Sequence, residues 1–267
     1  MYLTVNGVRT YAATGGRPFD PSAPLAVFLH GASMDHTVWA LLARWFAHHG
    51  HAVLAPDLPG HGHSDGAPLT SIAAMADWTA ALIAAAGGRD ARIIGHSMGS
   101  LIALELAART PDRVSGLGLV AAAAAMPVSA DLLNAARAND HAAIDMVAIW
   151  GYGFAAGLGG SLMPGAWMFG GGTRLLELAR PGALFHDLDA CNSYRDGLAS
   201  AAKVKAEATL VLGERDVMTP AKGGRELAAS LPKARVVVLR GAGHILMQER
   251  PDEVLAALRA VAQSKAA

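Results

Sequence analysis

One cysteine, Cys191, stands alone in 267 residues, so no internal disulfide can form. No basic run is present either. Lys and Arg number 22 against 22 Asp and Glu, and no stretch is cationic enough to neutralise a phosphate backbone, which sets nucleic acid aside as a partner. No segment repeats along the chain. The N-terminus lacks a charged and then apolar leader, because a strand-like pattern begins at Tyr2. Together these absences predict a cytoplasmic protein whose ligand is a small molecule. Gly60-His61-Gly62 lacks the Lys-Ser/Thr pair of a phosphate-cradling loop and reads as a turn.

What the sequence does have is alternation. Tyr2 to Val5 and Val8 to Thr14 form a hairpin pattern around Asn6-Gly7, a pair suited to positive φ. A continuous apolar run follows at Leu25 to Leu29, with further strand patterns at Ala52 to Ala55, Ala91 to Ile94, Val114 to Val120, Ala208 to Gly213 and Ala234 to Leu239. Helical periodicity separates them, around Trp39 to Phe46, Ser71 to Ala86, Met98 to Arg109, Ala221 to Leu231 and Pro251 to Ala262. Apolar strands alternating with helices predict an α/β fold, a mostly parallel open sheet with helices on both faces. The rhythm stops at about Ala121 and resumes after Ala202. The expected organisation is therefore a core of residues 1–120 and 203–267, with 121–202 inserted as a helical cap or lid.

The chain is organised around Gly95-His96-Ser97-Met98-Gly99, which lies between a strand and a helix. A serine in that position is lifted out of the sheet on a sharp, strained turn, the nucleophile elbow. A free hydroxyl is a poor nucleophile, so Ser97 needs a histidine base and a group that orients it. Ligands of an open parallel sheet bind beyond the carboxyl ends of its strands. Two loops in that position supply candidates, Glu214-Arg215-Asp216 and Gly243-His244. Asp216 could also cap the following helix, and Glu214 is the rival acid. The other common acid position, after Val120, holds only alanines from Ala121 to Ala125. The order Ser97, Asp216, His244 matches one serine-hydrolase fold and differs from the others. The backbone N–H of Met98, at a helix start, is a donor for a developing oxyanion.

Five blocks carry a resemblance: Leu29-His30-Gly31, Asp57 to Ser64, Gly95 to Gly99, Gly213 to Asp216 with Thr219-Pro220, and Gly243-His244. In this order they resemble the α/β-hydrolase superfamily, in its capped esterase and lipase-like branch. The resemblance implies that the second oxyanion donor is the N–H of Ala32, after His-Gly. It also implies that serine at the elbow sets the chain apart from dehalogenase and epoxide hydrolase relatives, which carry aspartate there.

From Met146 to Thr173 there is no charged residue. Trp150, Tyr152, Phe154, Met163, Trp167, Met168 and Phe169 can either line an acyl pocket or pack the cap on the sheet. Nine glycines and Pro164 in this stretch argue against a stable membrane span. Asp187, Asp189, Asn192 and Tyr194 meet a leaving group or, on the favoured reading, cap a helix. The expected pocket set is His30, Trp150, Phe154, Trp167, Met168 and Tyr194. His30, His61, His63 and His96 fit no metal template and brace the loops, so neither metal nor cofactor is expected. The expected activity is hydrolysis of a small to medium apolar carboxylic ester through an acyl-enzyme. Enol-lactone opening, C–C bond hydrolysis and peracid-forming, haloperoxidase-like chemistry would use the same triad, and a slow-turnover ligand receptor would retain it.

Overall fold

The computed structural model describes residues 1–88, 90–160 and 166–263. Its eight-stranded sheet begins with a hairpin, β1 (Tyr2–Val5) and β2 (Val8–Ala13), closed by Asn6 and Gly7 at φ of 49° and 80°. Two consecutive positive φ values suit the right-handed twist of the flanking strands. β2 runs antiparallel to β4 (Ala52–Pro56). Every later pairing is parallel. β3 (Leu25–Leu29) lies between β4 and β5 (Ala91–His96), followed by β6 (Val114–Val120), β7 (Ala208–Gly213) and β8 (Ala234–Leu239).

β3 to β7 are buried along their whole length, as continuous apolar runs require when helices cover both faces. One face packs on α2 (Ile72–Ala85), α3 (Met98–Arg109) and α10 (Ala221–Ala229), the other on α1 (Ala40–His48) and α12 (Pro251–Gln263). Helix α2 starts where Ser71 Oγ accepts the Ala74 N–H at 3.2 Å. The α/β architecture expected from the sequence is present. β5 extends two residues past the apolar run, because Gly95 and His96 still pair with Leu119 and Val120.

Between β6 and β7 the chain forms α4 (Ala130–Arg137), α5 (His141–Gly151), α6 (Phe154–Gly157), α7 (Met168–Glu177), α8 (Ala183–Ser193) and α9 (Gly197–Ala201). Leu132, Val147, Leu176 and Leu188 give this inserted segment a small core of its own. Among the described residues, no helix is long and apolar enough to cross a membrane.

Candidate active site

The elbow forms because β5 must turn directly into α3. Ser97 adopts φ 52° and ψ −119°, a conformation a side-chain-bearing residue rarely takes. Crowding explains the two glycines. A Cβ on Gly95 would collide with the Gly99 carbonyl, and one on Gly99 with the Leu29 carbonyl. The turn is held by Ser97 N–H to Val120 O at 2.9 Å and by Ser100 Oγ to Ser97 O at 2.6 Å. Ser97 therefore spends its own amide on β6. The next one, Met98 N–H, opens α3.

Asp216, past the end of β7, is buried and accepts four hydrogen bonds. Oδ1 takes the amides of Met218 (2.9 Å) and Thr219 (2.8 Å), and Oδ2 takes Thr219 Oγ1 (2.7 Å) and His244 Nδ1 (2.9 Å). Burial alone would raise its pKa, but His244 and the Thr219 bonds hold it below the ordinary carboxylate value. Asp216 does not cap the following helix, whose N-cap is Pro220 with no side-chain bond; its Oδ1 closes the preceding turn and leaves Oδ2 for histidine. Glu214 points elsewhere. Its Oε2 accepts the Gly241 N–H at 2.9 Å on the exposed side of the loop.

The loop bearing His244 is fixed on three sides. His244 N–H and Ile245 N–H both reach the Gly151 carbonyl, at 2.8 and 3.0 Å. Buried Glu249 accepts the amides of Gly243 and of Gly153 at 3.1 Å, and burial raises its pKa. His96 Nε2 donates to the His244 carbonyl at 3.0 Å, and burial, with His244 nearby, pushes its pKa down to about 3. His96 is therefore a neutral brace. Ser97 and His244 line one cavity. Among the described residues no hydrogen bond joins them, and such bonds commonly tighten only with substrate bound.

Ala32 also lines this cavity, on the loop after β3. The peptide carrying its N–H is held at the other end, where the Gly31 carbonyl accepts His30 Nδ1–H at 2.8 Å and Met34 N–H at 3.2 Å. His30 Nε2 accepts the Leu58 amide at 3.1 Å, which fixes the tautomer. Burial, with His61 nearby, takes the His30 pKa down to about 4. From the other side, Ser33 N–H donates to Asp187 Oδ2 of α8 at 2.7 Å.

The cavity has a volume of about 220 Å³, and its lining includes no Asp, Glu, Lys or Arg among the described residues. Met34, Met126, Leu132, Val147, Leu188 and Ile245 give it an apolar wall. The expected pocket set needs correction. Trp150 lines the cavity, but His30 is fully buried behind the loop, and Tyr194 is buried with its hydroxyl on Glu105 (2.8 Å) and Ser200 (3.2 Å). Phe154 and Trp167 are 83% and 64% exposed, and half-buried Met168 lies outside the lining. Met163 is outside the described residues. Of the aromatic residues in that set only Trp150 lines the cavity, because composition does not say which faces turn inward.

Three residues that hold the site escaped that set. Thr219 bridges Asp216 and His244, Glu249 ties the histidine loop to the inserted segment, and Asp187 holds Ser33. Asp187, expected to cap a helix or meet a leaving group, does neither: it lies within α8 and outside the cavity lining, and its carboxylate accepts the Ser33 amide. Asp35, His36 and Asp57 bring possible metal donors within 4.8 Å of one another. Asp57 is already occupied there, by His36 Nδ1 and N–H and by His63 N–H, each at 2.8 Å.

The profile of the alpha/beta hydrolase family matches residues 26–257. The pimeloyl-(acyl-carrier protein) methyl ester esterase of Chromobacterium violaceum is 31% identical over 256 residues, 88% of this chain and 92% of that protein. The protein of the same name from Neisseria meningitidis serogroup C is 36% identical over 207 residues, 72% and 75% of the two chains. Among solved structures, the enol-lactonase from Burkholderia xenovorans superposes with a TM-score of 0.88 at 25% identity, covering 98% of this chain and 99% of that one.

Proposed function

The chain belongs to the α/β-hydrolase family and is an enzyme of that family; from this premise we propose that it is a serine esterase cleaving small to medium apolar carboxylic esters through an acyl-enzyme. One observation carries the reading: Ser97, His244 and the Ala32 loop meet in a single apolar cavity, with Asp216 behind the histidine. The Asp216 contact keeps a proton on His244 Nδ1, which leaves Nε2 free to accept one from Ser97. Ser97 Oγ then attacks the ester carbonyl carbon, and the oxyanion receives the N–H groups of Ala32 and Met98. Collapse expels the alcohol, protonated by His244. Water, deprotonated by the same histidine, then releases the acid. None of these steps requires a metal or cofactor.

Support for the ester class comes from the relatives named as methyl ester esterases, and for the apolar class from a lining without formal charge. Residues 121–202 serve as the cap that roofs this cavity, and a lone buried cysteine fits a cytoplasmic setting. Likeness to an enol-lactonase favours one second reading, since a lactone is an internal ester that the same groups would open. The test is hydrolysis of p-nitrophenyl esters from acetyl to dodecanoyl, and of a lactone, by wild type and Ser97→Ala over several turnovers. Sustained release that Ser97→Ala abolishes is expected. Equal release by both proteins refutes the nucleophile, and a single stoichiometric burst refutes an esterase in favour of a receptor.

A further inference from the structure

Three segments remote in sequence meet at one oxygen atom. Asp187 Oδ2, on α8 of the inserted segment, accepts the Ser33 N–H at 2.7 Å and His61 Nε2 at 2.8 Å. Asp187 is fully buried and His61 nearly so. The other nitrogen of His61 faces the Pro59 carbonyl at 3.1 Å. A carboxylate and a carbonyl can only accept, so both ring nitrogens must carry hydrogen and His61 is an imidazolium. Burial disfavours that charge, but Asp187 more than offsets it and holds the His61 pKa above the ordinary value. The result is a buried ion pair between the loop after β4 and the inserted helices.

A pair of this kind is poor glue. Well-packed apolar residues commonly stabilise such a site equally well, and Leu184 and Leu188 already pack apolar side chains beside it on α8. Moreover, Asp187 Oδ1 has no partner among the described residues, a state that disfavours burial of a carboxylate. What an apolar residue could not do is accept the Ser33 amide. Ser33 holds a left-handed φ of 57°, so its backbone needs external support. Its neighbour Ala32 sits between two fixed points, the Gly31 carbonyl bonded to His30 and the Ser33 amide bonded to Asp187.

We propose that Asp187 is a positioning residue for the oxyanion hole: paired with the His61 imidazolium, it pins the Ser33 amide from the inserted segment and so aims the Ala32 N–H at the reacting carbonyl. The hole is then complete only when that segment is seated on the core. This rests on the reading of Ser97 as nucleophile and Ala32 as donor.

The test compares Asp187→Leu and Asp187→Asn with wild type and Ser97→Ala, using p-nitrophenyl butyrate. Leucine fills the space without accepting the Ser33 amide, so kcat falls at least about tenfold while KM stays within about twofold, because the oxyanion forms only in the transition state. Asparagine keeps an oxygen where Oδ2 stands and restores kcat to within about threefold of wild type. If Asp187→Leu leaves His61 uncompensated and does not fold, the double variant His61→Leu/Asp187→Leu removes both charges and carries the same expectation. A folded leucine variant with wild-type kcat, or an asparagine variant no better than leucine, overturns the proposal. Ser97→Ala with wild-type turnover would instead overturn the reading beneath it, whatever the Asp187 variants do.

Discussion

Replacing Asp216 with asparagine separates what this residue does for the fold from what it does for the chemistry. The amide oxygen can stand where Oδ1 accepts the Met218 and Thr219 amides at 2.9 and 2.8 Å, so the turn survives. The amide nitrogen then occupies the place of Oδ2, 2.9 Å from His244 Nδ1. An NH2 group facing Nδ1 makes that nitrogen an acceptor and moves the ring proton to Nε2. Nε2–H cannot take a proton from Ser97. In another serine hydrolase the same change of tautomer lowers kcat by about 10⁴-fold, which corresponds to about 5.4 kcal/mol of transition-state stabilisation at 1.36 kcal/mol per factor of ten. The stability cost is far smaller. Volume is conserved, and the two Oδ2 bonds, from His244 and Thr219, reverse direction and lose their charged acceptor, together about 1.5–3 kcal/mol. The assay is kcat and KM for p-nitrophenyl butyrate beside the thermal midpoint, with Glu214→Gln as control. Because Glu214 meets the Gly241 amide and the Arg215 guanidinium on the exposed side, its variant should keep kcat within about threefold. More than a tenth of wild-type kcat in folded Asp216→Asn, or an equal loss in Glu214→Gln, would refute the reasoning.

Two further expectations follow from the cavity and from a charged pair. Trp150 lines the cavity whereas Phe154 and Trp167 are exposed, so Trp150→Ala should move the acyl-chain optimum longer, by about tenfold or more in relative kcat/KM; Phe154→Ala and Trp167→Ala should leave it in place, and three identical chain-length profiles would contradict this. In the His36–Asp57 pair, burial disfavours the charge on each partner, yet the 2.8 Å hydrogen bond between them holds His36 above 6.5 and Asp57 below 3.8. The His36 contribution is complete below pH 6.5 and is lost as pH rises through its raised value; that of Asp57 is complete above pH 3.8 and is lost as pH falls through its depressed value. The pair therefore stabilises most between those limits, and His36→Gln should lessen the fall in thermal midpoint between pH 6.5 and 9. Equal slopes for the two proteins would count against it.

The sheet was legible because the buried strands are predominantly apolar, with only single polar interruptions such as Arg92, Ser115 and Thr209, and the helices between them are periodic. That Ser97, Asp216 and His244 would lie at one edge was legible because the ends of parallel strands converge, and the structure does bring these three positions together. β5 was read two residues short, since Gly95 and His96 pair by backbone without an apolar side chain to show it. The inserted segment was less readable. Its helices are short and rich in small residues, and apolar composition cannot tell an inward Trp150 from an outward Trp167. His30 misled for the opposite reason: its place beside the nucleophile suggested the cavity, whereas its two nitrogens are both used by backbone groups behind the loop.

β6 and β7 are hydrogen-bonded neighbours, and the whole inserted segment departs from the end of one and returns to the start of the other. Its exit and re-entry therefore belong to a single pair of adjacent strands, and because the pair is parallel, with Val120 level with Val211 and Ala208 level with Leu117, the returning chain re-enters at the opposite end of the pairing. A segment rooted in this way can grow, shrink or be exchanged without altering the register of any strand, and doubling the length of a flexible connection adds only about 0.6 kcal/mol in closure entropy. The sheet thus behaves as a chassis. The inserted segment is tied to it by polar contacts of Asp187, Gly151, Gly153, Arg180 and Tyr194 and by Ala190, Cys191 and Ala201, which pack into the main core.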